Sequence, residues 1–281
     1  MKKYSIDNPM APLWIKYPHI PRESIGWSIG YGENYKVDFS NWYEKLSEND
    51  KLKYQEMFPS PKTWGNYYSE FIEDDKYLEE FNEHHYKNVF FWRKDGKPKY
   101  SKDELIATEE VTKEFIFFWN PEDTPQACLS QWTISNFEDL TQKYNCCEQY
   151  MMAQKALFFS DFENEKRILQ SNDPSEMKRL GRIVKNFNSE EWNKVKYSIV
   201  LNGNYYKFSQ NKEMRDFLMA TGKSVLVEAS PEDKVWGVGL DESNKDIYDL
   251  NKWKGENLLG FALMELRDEL NKVYKNFNKL I

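Results

Sequence analysis

A chain of 281 residues holds one large domain or two small ones and buries a core large enough to fold without disulfides. Its formal net charge of -7 argues against broad, charge-driven binding to a polynucleotide, because phosphates are repelled at long range, while a local basic patch stays open. Cys128 and the adjacent Cys146 and Cys147 are no disulfide framework, and His19, His84 and His85 lack metal-ligand spacing, so a reducing, cytoplasmic setting without a metal or other cofactor is expected.

Residues 1–113 differ in texture from the rest. Lys2 and Lys3 have no apolar run behind them, and no later stretch has the length to span a bilayer, so neither a signal peptide nor a membrane partner is expected. Pro9, Pro12, Pro18 and Pro21 break the first segment, and Gly30-Tyr31-Gly32 reads as a turn, since it lacks the third glycine of a dinucleotide fingerprint. The apolar positions Trp42, Tyr43, Leu46 and Tyr54 predict a helix over residues 38–57, ended by Phe58-Pro59-Ser60-Pro61. A second, strongly acidic helix is expected over 67–86, its charge facing solvent. Residues 89–100 read as two short strands around Asp95-Gly96.

From Glu114 the pattern tightens into a second region, 114–281. Phe115-Ile116-Phe117-Phe118-Trp119, stopped by Asn120-Pro121, reads as a buried strand. Residues 144–159 read as one helix, apolar almost all the way round except at Glu148 and Lys155. Those two lie seven residues apart, so they leave the same face with roughly 10 Å of rise between them. A buried acid and amine must pair, face water or face a ligand. Alternatively, Asn145 and Glu148 form a capping box and Lys155 sends its ammonium to solvent along an apolar stem. Helices follow over 160–171, 174–187 and 189–206, the last capped by Ser189 and bent or ended at Gly203-Asn204. A short helix over 209–220 closes at Gly222, residues 224–229 form a strand, and 257–276 form a final amphipathic helix.

Glu228 ends the apolar run Val225-Leu226-Val227, at a strand tip where active-site groups and solvated side chains are both common. Asp233 precedes Trp236-Gly237, a spacing that sets an acid beside an indole face suited to stacking a sugar or base, or else caps a turn over a core tryptophan. Lys178, Arg179, Arg182, Lys185, Lys194, Lys196 and Lys207 are basic against an acidic background, either a phosphate site or a solvated helix face, with Trp192 among them as core anchor or stacking platform.

Taken in order, Phe117-Phe118-Trp119, Leu129-Ser130-Gln131-Trp132, Glu148-Gln149-Tyr150-Met151-Met152-Ala153-Gln154-Lys155-Ala156, Lys178-Arg179-Leu180-Gly181-Arg182, Leu226-Val227-Glu228-Ala229-Ser230-Pro231, Asp233 with Trp236-Gly237-Val238-Gly239-Leu240, and Trp253 with Gly255 and Asn257-Leu258-Leu259-Gly260 resemble the NADAR (YbiA-like) family over residues 114–274. The resemblance implies a mainly helical α+β domain with small β-structure, here carrying an N-terminal extension. It also implies an N-glycosidase, acting either on ribosylamino-pyrimidine phosphates of riboflavin synthesis or on ADP-ribosylated guanine, the latter ranked first. A nucleotide or ADP-ribosylated base, free or within modified nucleic acid, is then the expected partner. Carried over by residue, the pocket is Glu148, Lys155, Trp192, Glu228, Asp233 and Trp236, with Gln131, Trp132 and Arg182 as further substrate contacts. Gln131 departs from the family's usual Asn, and one added methylene moves the amide by about 1 Å or more.

Breaking a C1′–N bond requires a proton for the leaving nitrogen and stabilisation of charge at C1′. Either Lys155, kept partly neutral by burial, attacks C1′ while Glu148 or Asp233 moves the protons, or carboxylates flank an oxocarbenium-like centre and Lys155 only holds the substrate. The competing class is a reader that binds ADP-ribose without cleaving anything. A purely structural acid and amine is the third.

Overall fold

The computed structural model describes residues 4–71, 85–108, 114–120, 124–139 and 141–280, and the chain divides into two compact units. The first comprises residues 1–85, 138–143 and 269–281, the second residues 86–137 and 144–268.

The first unit is built on rings. Helices α1 (Leu13–Lys16), α2 (Tyr31–Glu44) and α3 (Glu48–Met57) bring Trp14, Phe39, Tyr43, Tyr54 and Phe58 into a sealed cluster. Trp14 meets Trp64 edge-on at 5.4 Å, and the buried hydroxyl of Tyr54 donates to the Met10 carbonyl at 2.7 Å, so that ring is buried with its polar handle satisfied. The single helix expected over 38–57 is two helices. The first starts earlier, with Gly30 (φ 78) as the residue before it, so Tyr31-Gly32 opens α2 and is no free turn. The break at 45–47 comes from Ser47, whose Oγ accepts the Asp50 amide and caps α3. Of the acidic helix expected over 67–86, the chain shows a 3-10 turn at Tyr67–Phe71, and residues 72–84 lie outside the described residues.

The next hairpin lies elsewhere than expected. Strands β1 (His85–Tyr86) and β2 (Val89–Phe90) pair around Lys87 and Asn88, both at positive φ, whereas Asp95-Gly96 makes a turn flanked by irregular chain. After α4 (Lys102–Ala107) comes β3 (Phe115–Phe118), half-buried except at Phe118. Two-residue strands β4 (Phe137–Glu138) and β5 (Lys143–Tyr144) precede α5 (Cys147–Phe158). Helices α6 (Phe162–Gln170), α7 (Pro174–Arg182), α8 (Ser189–Gln210) and α9 (Lys212–Ala220) follow, then β6 (Val225–Glu228) and α10 (Leu258–Val273). The protein is α+β and mainly helical, with only two-stranded sheets among the described residues.

Helix α5 is the hub of the second unit, packed by α6, α7 and α8. The Gln149 amide nitrogen donates to the carbonyls of Ile168, Leu169 and Ser171, clasping the end of α6. The capping box is not formed: Cys146 is the N-cap, its Sγ accepting the Gln149 amide at 3.5 Å, and the Asn145 amide donates to Gln149 Oε1. Glu148 is left free of capping duty. Asn188, not Ser189, caps α8 by accepting the amides of Glu190 and Glu191. That helix runs unbroken past Gly203, whose missing side chain admits the Tyr150 ring: a Cβ there would stand 2.5 Å from it. Helix α7 stops at Arg182, short of the expected 187, and α9 begins at Lys212.

Candidate functional site

Three backbone devices bring the working side chains together. Strands β3 and β6 pair in parallel, Phe118 opposite Glu228, which brings Glu228 and the residue after β3, Trp119, to the same end of the sheet. The Glu148 amide donates to the Gln131 carbonyl at 3.0 Å, fixing the 129–132 segment over the first turn of α5. Beyond β6, the backbone amides of residues 254–259 donate to carbonyls within 234–238, and Val238 donates to the Glu228 carbonyl, so the loop carrying Asp233 and Trp236 is fastened along its length.

These elements enclose a cleft of about 700 Å³. All the side chains expected at a site, Glu148, Lys155, Asp233, Gln131, Trp132, Trp192, Glu228, Trp236 and Arg182, line it. Lys178, Met151, Met152, Trp119 and Lys196 join them. The basic set from the sequence splits. Lys178, Arg182 and Lys196 face the cleft, whereas Arg179 pairs with Glu176, Lys185 with Glu163 and Lys194 with Glu191, and Lys207 is fully buried with its Nζ on the Ser130 carbonyl. A surface cation and a cleft cation carry the same sequence signal, which is why Lys178 does not stand out in the sequence.

Glu148 is 3% exposed, and its Oε1 has no hydrogen-bond partner. Burial pushes its carboxyl up to about 7, against the opposing pull of Lys178, a Trp132 hydrogen bond and Arg182. Glu228 is only half-buried as a residue, yet its Oε2 is sealed from solvent and unpartnered; burial, then the charges of Asp233 and Glu148, push it up to about 8. The Asp233 charge raises both carboxyls and Glu148 further raises Glu228, so a proton is held in the cleft near neutral pH, the condition under which one carboxyl serves as acid and another as base.

Asp233 is committed on one edge. Its Oδ1 accepts the amides of Val235 and Trp236 at 2.9 and 2.8 Å, capping the turn, and its Oδ2 lies 4.0 Å from the Lys178 ammonium. Asp233 thus caps the turn and also lines the cleft, whereas Trp236 is half-buried on the cleft wall and is no core tryptophan. Lys155 does not reach Glu148. Its Nζ donates to the Gly181 carbonyl at 2.8 Å and lies 4.1 Å from the Phe187 ring and 5.5 Å from that of Trp192, and burial lowers its pKa. Gln131 offers its Oε1 to Asn204 at 3.2 Å, while its Nε2, also buried, has no partner. Among the described residues no three His, Cys, Asp or Glu side chains converge as metal ligands, and no helix is long and apolar enough to cross a membrane.

The cleft thus sets desolvated carboxyls between indole walls, with Lys178, Arg182 and Lys196 also lining it. The model of the NADAR domain matches residues 117–271, just over half of the chain, and the protein belongs to the NADAR domain family. It is 42% identical over 165 residues to the N-glycosidase R617 of Acanthamoeba polyphaga mimivirus, covering 56% of this chain and 97% of that one. It is similar to Protein irg-1 of Caenorhabditis elegans (34% over 185 residues, 59% of this chain and 84% of that one) and to N-glycosidase YbiA of Escherichia coli strain K12 (33% over 123 residues, 44% and 68%).

Proposed function

We propose that this protein is an N-glycosidase that hydrolyses the bond between ribose C1′ and a base nitrogen, and that its substrate is ADP-ribosylated guanine. The observation that carries the reading is the pair of desolvated carboxyls, Glu148 and Glu228, each with an unpartnered oxygen in a cleft of about 700 Å³ walled by tryptophans. Unsatisfied buried carboxyls are costly in a purely structural role, and a cleft of this size suits an organic ligand rather than a few waters. Names borne by the relatives, N-glycosidase R617 and N-glycosidase YbiA, point to the same reaction class.

Glu228 or Glu148, protonated at neutral pH, delivers its proton to the departing guanine nitrogen as the C1′–N bond breaks. Lys155, whose pKa burial lowers and whose Nζ the Gly181 carbonyl holds, attacks C1′ in its neutral form as the base leaves and passes one proton to a carboxylate; the C1′–O4′ bond then opens, O4′ taking a proton as the nitrogen gives up its second, and an imine to the open sugar results. Water then adds to the imine carbon, the remaining carboxylate taking its proton, and ADP-ribose leaves with the lysine restored. Trp132, Trp192 and Trp236 offer stacking faces for base and sugar, and Lys178 and Arg182 offer charge to phosphate.

Incubation with ADP-ribosylated guanosine and, separately, with a ribosylamino-pyrimidine phosphate tests the substrate. Mass loss of the sugar from the first alone is expected; loss from the second alone overturns the ADP-ribosyl assignment, and loss from neither overturns the glycosidase. Borohydride added during turnover should leave a sugar adduct on Lys155, and undiminished turnover by Lys155→Ala ends the covalent route.

A further inference from the structure

A second cavity, of about 730 Å³, opens beside the first, and Asn193 and Lys196 line both. Three residues apart on α8, these two stand on one ridge of the helix, so the hollows share a wall. The floor of the second hollow is the turn at Lys94-Asp95-Gly96-Lys97. Gly96, at φ +64, takes the left-handed conformation the turn needs. The turn is tied on both flanks, by the Trp92 indole donating to Asn202 at 2.8 Å and by the Lys99 amide donating to Glu265 at 3.0 Å. It is therefore a fixed surface.

Its chemistry differs from that of the first cleft. Lys94 and Lys97 are exposed, and neither they nor Lys196 form an ion pair with any described residue. Asp95 is turned to its own loop, accepting the Lys97 amide and facing the Arg93 guanidinium at 3.5 Å, and Lys194 is neutralised by Glu191. The exposed Glu256 carboxylate also lines the hollow, and against it the ammonium groups of Lys94, Lys97 and Lys196 leave a local excess of positive charge on a chain of net charge -7. Phe91, Tyr86 and Tyr197 supply aromatic surface to the same hollow.

We propose that this second cavity is a distal nucleotide subsite: with the reacting ribose over Glu148 and Glu228, a diphosphate crosses the ridge at Lys196 and Asn193, and a second nucleoside rests against Phe91 and Tyr86 beneath Lys94 and Lys97. The proposal rests on the reading of the substrate as an ADP-ribosyl compound. A ribosylamino-pyrimidine phosphate has no second nucleoside with which to fill the hollow.

The test is equilibrium binding by calorimetry of ADP-ribose and of ribose 5-phosphate to the full chain and to Lys94→Glu/Lys97→Glu, both exposed positions whose change leaves the core untouched. Wild type should bind ADP-ribose at least about tenfold more tightly than ribose 5-phosphate, and the double variant should lose roughly tenfold for ADP-ribose alone. Equal affinities in wild type, no ADP-ribose binding at all, or a loss shared by both ligands or by neither overturns the subsite. Cleavage of ADP-ribosylated guanosine by wild type is scored apart. If cleavage is absent but the affinity gap persists and closes in the variant, the substrate assignment falls and the subsite stands. If cleavage is present without the gap, the subsite alone falls.

Discussion

Replacing Glu148 by Gln separates catalysis from architecture because the same buried carboxyl has opposite effects on the two. In the folded chain the group titrates near 7 against an ordinary value of 4.5, raised chiefly by burial. The folded state therefore binds the proton more tightly than the unfolded state, so the group's contribution to stability is full below pH 4.5 and is lost as pH rises through 7. At 1.36 kcal/mol per unit, the ionised group costs the fold about 3 kcal/mol above neutrality. Gln keeps the shape and cannot ionise. Glu148→Gln should match wild type in thermal midpoint near pH 4.5 and exceed it at pH 8 by the equivalent of about 3 kcal/mol, or roughly 6–12 °C. Turnover should fall by about 10²–10⁴-fold while affinity for ADP-ribose persists. A midpoint difference that ignores pH refutes the burial argument, and turnover within a few-fold of wild type refutes the proton-transfer role.

The pH dependence of kcat should fall on the alkaline side near 8, where Glu228 loses its proton, and Glu228→Gln should remove that limb along with most of the rate. Gln131→Leu deletes an unpartnered Nε2 donor together with the Oε1 that accepts from buried Asn204, so it should cost about 1 kcal/mol of stability by chemical denaturation and lower kcat/KM by about tenfold, as expected for loss of one substrate hydrogen bond. Gly203→Ala drives a methyl into the Tyr150 ring and should cost about 1–3 kcal/mol by chemical denaturation, with KM unaltered in the protein that remains folded.

Much of the second unit is legible from composition and period. The apolar runs at 115–119 and 224–229 do become the paired strands β3 and β6, although β3 is half-buried except at Phe118 and not the buried strand expected, and the greasy stretch at 144–159 does become α5, buried on most of its faces. The anomalous pair on that helix, Glu148 and Lys155, is legible as an anomaly alone. Nothing local says that Cys146 takes the cap and releases the acid, since a thiol is a weak acceptor and Asn145 is the better candidate by type. Long-range partners decide the remainder. Glu228 reads equally as a solvated strand end until β3 is laid beside it, and Lys178 reads as one more surface cation until Asp233 and Trp132 are found near it. In the first unit, one serine hydroxyl at Ser47 is enough to split a predicted helix, an effect worth about 1 kcal/mol that hydrophobic period does not register.

The stitching of residues 254–259 onto 234–238 makes one jaw of the cleft immovable. Asp233 and Trp236 ride on that jaw, and Glu228 is hung from its root through Val238. On the proposed reading, a substrate meets Asp233 and Glu228 already in position, and selection falls to the shape and charge of the doorway.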